Sequence, residues 1–463
     1  MKRIHVDGTR FVNEDGNTVI FNGINIVCKQ KELGYLFADM ETLFRAYANK
    51  GFNLIRLGIF WDGVEPNPGQ YDTAYIGRVR QAVETAEAAG LYIMLDMHQD
   101  LFSALYADGA PAWATITDGA QHPAHCRMWY EAYLQSDAII NAADHFWKND
   151  PAEDGVGLID HYAAMWRYLA TEFSGHRNVI GLEPMNEPFM GSIARNAFGK
   201  ATVAVKEQYP EFDLATQTGV NAETQGIFTG IVSQDLMAFD RQTLMPFYNT
   251  INAEIRKVCD IAIVTDGNIY CSAFFPSGIT RVTAPDGTPE TQQIYSPHGY
   301  DTVVDTDHFD KFNIHNVTAL FADKRRTQTE NSFPVIVGEW GAFPSKGFTN
   351  RLIEHMNGIL EEYLWSSTYW AHIPGLESDA NYASLDRGYP TETCGALVSY
   401  TYDHEAKSLD VCWNGPWVLC WFPQSVTKVS NPDVSYTVLQ SAGNGCFVKL
   451  ENRKGGKVSA AIL

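Results

Sequence analysis

The sequence predicts an α/β protein, a (β/α)8 TIM barrel with a small C-terminal β-sandwich domain. Eight strand-like apolar runs alternate with helical patterns between about residues 20 and 375, which is the pattern of successive parallel βαβ units. After Pro390 the helical patterns stop and short strand-like runs follow one another. A barrel takes about 250 residues, so the 463 residues leave room for a second domain.

Each predicted barrel strand is a short apolar run followed by a loop. The eight runs occupy 24–27, 54–59, 92–97, 179–183, 261–265, 293–296, 335–338 and 367–370. Helical patterns separate most of them, at 38–50, 73–89, 158–174, 240–258, 306–326 and 348–363. The connections 98–157 and 189–239, after the third and fourth strands, are too long for simple turns. We expect binding loops or lids there, because barrel enzymes keep their sites at this end of the strands.

The two ends of the chain predict antiparallel structure. Residues 5–11 and 18–21 are strand-like, and the turn-forming residues 13–17 between them predict an N-terminal β-hairpin. Five short strands are predicted near the C-terminus, at 396–402, 408–413, 417–421, 435–440 and 446–451. We therefore divide the chain into a catalytic barrel with its hairpin, 1–385, and a C-terminal β-sandwich, 386–463.

Charge and composition exclude several classes of partner. The net charge of −21 argues against binding to nucleic acid or to an anionic membrane surface. No run of about 18 apolar residues predicts a membrane-spanning helix. The first residues lack the apolar core of a signal peptide. We nevertheless expect a secreted protein whose signal peptide was removed, and a cytoplasmic location is the alternative. The eight cysteines form no CxxC pair, and disulfides or free thiols fit the four near the C-terminus equally. We expect a monomer.

Two glutamates follow predicted strands on opposite sides of the barrel mouth. Glu187 stands in Asn186-Glu187-Pro188 after the fourth strand, and Glu339 follows the seventh strand between Gly338 and Trp340. Glycoside hydrolysis needs two carboxyls on either side of the scissile bond, and burial or a neighbouring charge raises the pKa of the one that acts as acid. Either glutamate alone is also compatible with a loop cap or a structural ion pair.

Further polar and aromatic residues close the remaining strands. Arg56 ends the second strand, where the interior rejects an unpaired charge, and Glu339 is the expected partner. His98 and His298 follow the third and sixth strands, and Trp370 ends the eighth. Neither a metal nor a cofactor is expected, since no second histidine stands at ligand spacing and the motifs GxGxxG, HExxH and GxSxG are missing.

These motifs together resemble glycoside hydrolase family 5, over about residues 1–375. The resemblance rests on the segments 21–25, 51–56, 96–98, 185–188, 298–300 and 338–340. Within that family the chain is most similar to the bacterial endoglycoceramidases, through Lys29 and the segments 61–66, 96–100, 109–113 and 368–370. The resemblance implies a retaining, metal-independent endo-β-glycosidase that hydrolyses the bond between the glycan and the ceramide of a glycosphingolipid.

The resemblance also implies roles for individual residues. It makes Glu187 the acid/base and Glu339 the nucleophile. Orienting roles at the nucleophile for Arg56, His298 and Tyr300 follow instead from their strand-end positions, with a histidine satisfied within its loop as the alternative for His298. The resemblance implies substrate binding by Lys29, His98, Asp100, Trp113, Asn186, Tyr300 and Trp370.

Substrate preference is open at this point. The sequence around Lys29 departs from the family pattern, so Lys31 is an alternative for its role, and a preference for galactosyl-ceramides is compatible with this departure. We expect an apolar slot for the lipid from Phe189, Met190 and residues 226–232, with a helix packed on the barrel as the alternative reading. A β-glucosidase or glucanase acting on non-lipid glycans and a non-catalytic sugar- or lipid-binding barrel are the alternative functions.

Hydrolysis is expected to survive exhaustive chelation, because the predicted chemistry needs two carboxyls and no Lewis acid. The measurement compares initial rates before and after dialysis against a strong chelator. Loss of activity that returns when a single ion is added back would contradict a metal-free mechanism.

Overall fold

The computed structural model describes residues 1–126, 128–214, 216 and 218–463, without the side chains of residues 440–442. The strands are β1 (Ile4–Asp7), β2 (Arg10–Asn13), β3 (Thr18–Val19), β4 (Asn22–Ile26), β5 (Leu54–Ile59), β6 (Tyr92–Met97), β7 (Val179–Glu183), β8 (Ala262–Thr265), β9 (Gln293–Tyr295), β10 (His298–Gly299), β11 (Ile336–Val337), β12 (Glu339–Trp340), β13 (Ser366–Tyr369), β14 (Tyr389–Asp403), β15 (Ser408–Phe422), β16 (Val434–Ala442), β17 (Gly445–Asn452) and β18 (Lys457–Ile462).

The α-helices follow the same order along the chain. They are α1 (Met40–Ala48), α2 (Trp61–Val64), α3 (Thr73–Ala88), α4 (Ala132–Gln135), α5 (Asp137–Trp147), α6 (Leu158–Phe173), α7 (Ser192–Gln208), α8 (Ala222–Phe239), α9 (Met245–Ile255), α10 (Ile314–Asn331) and α11 (Thr349–Tyr363). The helix predicted from residue 306 begins later, at Ile314, because the Asn313 side chain caps it by accepting from the His315 amide.

Eight parallel strands form the barrel, which confirms the predicted fold class. Their order around the sheet is β11-β13-β4-β5-β6-β7-β8-β9. The sheet closes where Tyr295, at the end of β9, bridges in parallel to Val335, just before β11. Beyond that bridge, β10 pairs with β12 so that His298 stands beside Glu339. The closing seam therefore brings two predicted site residues together.

The N-terminal strands close the lower end of the barrel. Val6, Phe11, Val19 and Phe21 share one buried apolar cluster with residues from the barrel strands, namely Leu54, Met94, Ile180, Ala262, Val264, Ile294 and Ile336. This end of the barrel is filled by side chains. The opposite end, where the strands deliver their carboxyl termini, is left for the site.

The predicted N-terminal hairpin differs from the observed one. Gly8 has a φ of +60°, and the turn at this glycine divides the predicted strand 5–11 into β1 and β2, which pair with each other. Strand β3 then pairs with β2 on one side and with β14 on the other. The N-terminal strands therefore belong to the same sheet as the C-terminal strands, and this sheet crosses the predicted domain boundary at 385.

The C-terminal strands are longer than predicted. The break predicted between the strands at 408–413 and 417–421 is absent. β15 continues through residues 414–416, where a bulge places two residues of β15 opposite the single residue Gly395 of β14. A Cβ on Gly415 would lie 1.9 Å from the Cys394 carbonyl oxygen, so no larger residue fits there. The first half of β15 pairs with β18 and its second half with β17. The folded sheet encloses its own core, which includes Tyr389, Tyr400, Trp413, Trp421, Val448, Leu450 and Ile462.

The two long connections contain helices. Helices α4 and α5 lie between β6 and α6, and helices α7 and α8 lie between β7 and α9. Residues 226–232 belong to α8, which packs against α7, and Phe228 contacts the rings of Phe198 and Phe212. Phe189, Met190 and Phe228 are all buried. The predicted lipid slot is therefore wrong at Phe189, Met190 and Phe228, whose side chains belong to the core, while Ile227 and Ile231 are partly buried against that core.

All eight cysteines are free thiols, so the disulfide alternative for the C-terminal four is wrong. Within the described ranges, no helix has the length and apolar character needed to cross a bilayer.

Replacing Phe228 with alanine is expected to lower the free energy of unfolding by about 3–5 kcal/mol, because it opens a cavity in the packed α7–α8 contact. Phe274→Ala is the matched control: its ring is 53% exposed, so the change should stay within about 0.5 kcal/mol. Urea denaturation measures both. Equal stability of the two variants would contradict the assignment of Phe228 to the core.

Candidate active site

The buried guanidinium of Arg56 lies at the centre of the barrel mouth. Arg56 lies on β5, and its side chain is 0% exposed to solvent. Its Nη1 donates to Glu339 Oε1 at 2.8 Å, which is the ion pair expected from the sequence. Its Nε donates to Glu183 Oε2 at 2.7 Å, and its Nη2 lies 3.1 Å from Asp96 Oδ1. One cation therefore serves three carboxylates, from β6, β7 and β12.

Glu339 accepts hydrogen bonds on both of its carboxyl oxygens. Arg56 donates to Oε1, and the Tyr300 hydroxyl donates to Oε2 at 2.7 Å. Burial raises the pKa of Glu339 to about 7, although His298 and Arg56 both act to lower it. Tyr300 is held in place by its own amide, which donates to the Ser272 carbonyl. Glu339 thus has two donors that favour its ionised form beside a second carboxyl.

Glu187 is held in an uncommon backbone conformation. Its φ is +39°, a region that non-glycine residues rarely occupy and that often marks a functional position. The Gln99 side-chain amide fixes this turn by donating to the carbonyls of Asn186 and Glu187, both at 2.9 Å. The Glu187 Oε1 atom accepts from the Ser272 hydroxyl at 2.8 Å. Burial raises the pKa of Glu187 to about 7, and the Ser272 hydrogen bond partly opposes this.

The two glutamates form a close pair. One carboxyl oxygen of each lies within 4.8 Å of the other, and His298 Nδ1 stands between them, 3.1 Å from Glu187 Oε1 and 3.5 Å from Glu339 Oε2. Burial lowers the pKa of His298 to about 4, so its ring is neutral near pH 7. Retaining glycosidases place their carboxyls about 5–5.5 Å apart, whereas inverting enzymes need about 6.5–9.5 Å. The separation fits retention.

A polar cluster and an aromatic ring form the neighbouring wall. The rings of His98 and Trp370 stack with centroids 5.4 Å apart, and Lys29 Nζ lies 5.0 Å from the Trp370 ring centre. Lys29 also pairs with Asp100, and Asp108 accepts from the Asp100 amide. His98 Nδ1 bonds to Asp96, while its Nε2 is buried without a hydrogen-bond partner among the described residues. These groups offer donors and acceptors for sugar hydroxyls beside an aromatic face.

Asn186 is brought to the same centre. Its side-chain oxygen accepts from Arg56 Nη2 at 2.9 Å, and its amide nitrogen donates to the Gln99 carbonyl. Arg56, Asn186, His298, Tyr300 and the two glutamates are therefore joined in one hydrogen-bonded network. Their assigned roles in catalysis and substrate binding remain predictions.

Trp113 and Lys31 lie elsewhere. The Trp113 indole donates to the Glu65 carbonyl and its ring packs edge-on against Trp61. These contacts hold a loop together, and no contact in the described structure joins Trp113 to the catalytic network. Lys31 pairs with Asp62. Lys29 is therefore the lysine at the site, and a substrate role for Trp113 remains a prediction.

Several contributors were not identified from the sequence. Glu183 and Asn25 pair with Arg56, Gln99 holds the Glu187 turn, and Ser272 donates to Glu187. Glu183 offered a signal, because a carboxylate inside a barrel strand needs a buried partner. Ser272 offered none, since it stands in a segment that reads only as loop.

Two groups of side chains in the described part of the chain have the spacing of a metal site. They are His98 with Asp100 and Asp108, and Glu187 with His298 and Glu339. A cation already pairs with one carboxylate of each group, Lys29 with Asp100 and Arg56 with Glu339. Metal independence remains a prediction.

Curated relatives match much of the chain. An endoglycoceramidase of Cyanea nozakii and endoglycoceramidase I of Rhodococcus hoagii are each 30% identical, over 42% and 48% of this chain. The chain spans less than half, 43%, of the length of each of these two relatives. An endoglycoceramidase of Hydra vulgaris is 26% identical over 85% of this chain and 74% of its own length.

Solved structures share the fold. Endo-glycoceramidase II from Rhodococcus sp. is 23% identical, with a TM-score of 0.77 over 97% of this chain and 98% of that one. Structures of that enzyme include a ganglioside GM3 complex and a lactosyl-enzyme intermediate. An endogalactoceramidase structure is 20% identical with a TM-score of 0.73, and the match covers both chains completely. At these identities the likeness supports the fold alone.

The family profile gives the assignment. The profile described as cellulase, glycosyl hydrolase family 5, matches residues 12–374. This match covers the whole barrel and every residue of the network around Arg56. Since it spans far more than half of the sequence, the chain belongs to glycosyl hydrolase family 5.

Proposed function

We propose that the chain is a retaining endo-β-glycosidase that hydrolyses the bond between the glycan and the ceramide of glycosphingolipids. The observation that carries this proposal is the buried Glu187–Glu339 pair, whose oxygens approach within 4.8 Å. Curated endoglycoceramidases among the relatives support the choice of substrate. The family assignment supports hydrolysis rather than mere binding.

The first half of the reaction forms a covalent glycosyl-enzyme. Glu339, ionised beside the Arg56 guanidinium and the Tyr300 hydroxyl, attacks the anomeric carbon as the bond to the ceramide oxygen breaks. Glu187 gives its proton to that oxygen, so ceramide leaves as a neutral alcohol. Burial raises the pKa of Glu187 to about 7, so this carboxyl can carry a proton before attack.

The second half restores the enzyme. Once Glu339 is bonded to the sugar its negative charge is gone, so the pKa of Glu187 falls and its carboxylate can accept a proton from water. The water oxygen attacks the anomeric carbon, and the Glu339–sugar bond breaks. Two inversions at the same carbon return the β configuration.

Exposed apolar side chains near the network are suited to the lipid. Phe274 is 53% exposed two residues after Ser272, and Ile373 is 47% exposed three residues after Trp370. Trp129 is 40% exposed and touches the ring of Tyr133, whose hydroxyl accepts from the Leu101 amide. All three stand on segments that follow barrel strands, at the same end as the catalytic pair. They replace Phe189, Met190 and the segment 226–232 as the proposed lipid-facing groups.

Three finer features belong to the proposal. We expect galactosyl-ceramides among the preferred substrates, in keeping with the likeness to a solved endogalactoceramidase. We also expect a secreted protein and a monomer. A lipid-linked substrate that reaches the enzyme from a neutral bilayer is compatible with the net charge of −21.

A glucanase acting on non-lipid glycans is the second candidate. The matching family profile is described as cellulase, and an endoglucanase B of Paenibacillus lautus is 24% identical over 65% of this chain. Hydrolysis of soluble β-glucans without action on glycolipids would favour this candidate.

Product analysis with a panel of defined glycosphingolipids tests the proposed function. The panel should include glucosyl- and galactosyl-linked ceramides with one to several sugars, together with a soluble β-glucan. Release of the intact oligosaccharide and free ceramide is the expected result. Stepwise removal of single terminal sugars, or cleavage of the glucan alone, would overturn the proposal.

Replacing Phe274 with aspartate is expected to lower kcat/KM at least about tenfold on a ceramide substrate, since a charge against an alkyl chain costs more than 1.4 kcal/mol. The same variant should keep its rate on a short aryl glycoside, which has no lipid. Val398→Asp, at a position 39% exposed on the C-terminal sheet, is the matched control and should change neither rate. Equal losses on both substrates would contradict a lipid contact.

Replacing Tyr300 with phenylalanine is expected to move the acidic limb of the pH–rate profile upward by about one unit. The Tyr300 hydroxyl lowers the pKa of Glu339 by hydrogen bonding to its ionised form, so its loss raises that pKa. Glu339 then becomes a nucleophile only at higher pH, and kcat/KM against pH reports the shift. Tyr382→Phe, which removes a hydroxyl bonded to the Phe343 carbonyl, should leave the profile unchanged. A lower acidic limb in Tyr300→Phe would refute the role.

A further inference from the structure

One short turn contacts both halves of the catalytic pair. The 3-10 turn Ile269–Ser272 follows β8. Its first amide, from Ile269, donates to the carbonyl of Pro188, directly after Glu187. At its other end the Ser272 hydroxyl donates to Glu187 Oε1 at 2.8 Å, and the Ser272 carbonyl accepts from the Tyr300 amide at 2.8 Å. Tyr300 in turn donates to Glu339.

Buried charged groups hold this turn rigidly. Lys324, only 3% exposed on α10, donates to the Cys271 carbonyl at 2.7 Å. Asn268, which caps the turn, donates through its side chain to Asp240 Oδ1 at 2.8 Å. The Asp240 carboxyl is 0% exposed and also accepts from the Gly278 amide at 2.7 Å. Burying a lysine and an aspartate costs free energy, and both bond to this one turn, which indicates that the position of the turn is important.

We propose that Ser272 is the positioning residue for Glu187, and that it holds Oε1 so that the transferable proton lies on Oε2. A hydroxyl that donates to one oxygen of a carboxyl leaves the other oxygen to carry the proton. His298 Nδ1 approaches the same Oε1, at 3.1 Å, so Oε1 is doubly engaged. In the first half of the reaction Oε2 delivers its proton to the leaving oxygen. In the second half Oε2 accepts the proton of the attacking water, while Ser272 stays bonded to Oε1.

The pH dependence that follows has a definite sign. The Ser272 hydrogen bond acts to lower the pKa of Glu187. Removing the hydroxyl therefore raises that pKa, and Glu187 keeps its proton to higher pH. The charged and titratable groups that face or influence Glu187 are His298, Glu339, Asp100, Arg56, Lys29, Asp96, Tyr133 and Tyr300. Ser272→Ala changes none of them, so the basic limb should move while the acidic limb, set by Glu339, stays in place.

The test compares Ser272→Ala and Ser272→Thr on two aryl glycosides that differ only in leaving group. On the poor leaving group, Ser272→Ala should lose about tenfold in kcat/KM, since this step needs a well-placed acid. On a dinitrophenyl leaving group kcat/KM should be unchanged. The basic limb of the profile should move up by about one pH unit. Ser272→Thr, which keeps a hydroxyl, should restore both properties.

The outcomes separate positioning from a purely structural role. Equal losses on both leaving groups, or an unmoved basic limb, would overturn the proposal, as would full activity of Ser272→Ala. Ser277→Ala is the control. It removes another hydroxyl nearby, which donates to Asp240 at 3.3 Å, and its rates on the two leaving groups should match those of the unmodified protein. The inference rests on the proposed function only for the role of Glu187. If the protein cleaves aryl glycosides but no glycosphingolipid, the proposed substrate falls and the Ser272 test still stands.

Discussion

The Arg56 guanidinium lies fully buried against Asp96, Glu183 and Glu339, and the arrangement of the barrel mouth depends on this contact. Carboxylates taken out of water are strongly destabilised unless a cation and hydrogen bonds compensate them. One guanidinium cannot neutralise three carboxylates. Burial raises the pKa of Asp96 to about 7, although Arg56 acts to lower it, so the guanidinium does not fully compensate this carboxylate. Carboxyl groups at the site are therefore close to their protonation equilibrium near neutral pH, which general acid catalysis requires.

The same constraint separates the roles of the two glutamates. Glu339 bonds directly to Arg56 and Tyr300, whereas Glu187 bonds to the neutral hydroxyl of Ser272. Glu339 therefore has the stronger donors for a negative charge, which supports the proposed assignment of the transferable proton to Glu187. The backbone beside Glu339 leaves no room for a side chain in this packing. A Cβ on Gly338 would lie 2.5 Å from Ser296 Oγ and 2.9 Å from His298 Nε2.

Strand-end residues could be predicted from the sequence because their chemistry conflicts with their surroundings. Arg56, Glu187 and Glu339 each interrupt or follow an apolar run, and the barrel alternation placed them at one mouth. The pairing of Arg56 with Glu339 was predictable for the same reason. Ser272 and Gln99 could not be predicted, because a polar residue in a loop is not in conflict with its surroundings. Phe228 was misplaced because an apolar stretch has the same appearance whether it faces lipid or a neighbouring helix. The bulge at Gly395 and Gly415 depends on strand pairing across the sheet, which local turn residues do not reveal.

Covalent trapping tests the central claim most directly, namely that Glu339 is the nucleophile because Arg56 and Tyr300 stabilise its charge. An activated 2-fluoro glycoside forms the glycosyl-enzyme readily and releases it slowly, so the labelled peptide can be identified by mass spectrometry. A single sugar on the peptide that contains Glu339, with no label in Glu339→Gln, is the predicted result. A label on Glu187, or turnover with inverted product and no covalent adduct, would contradict it.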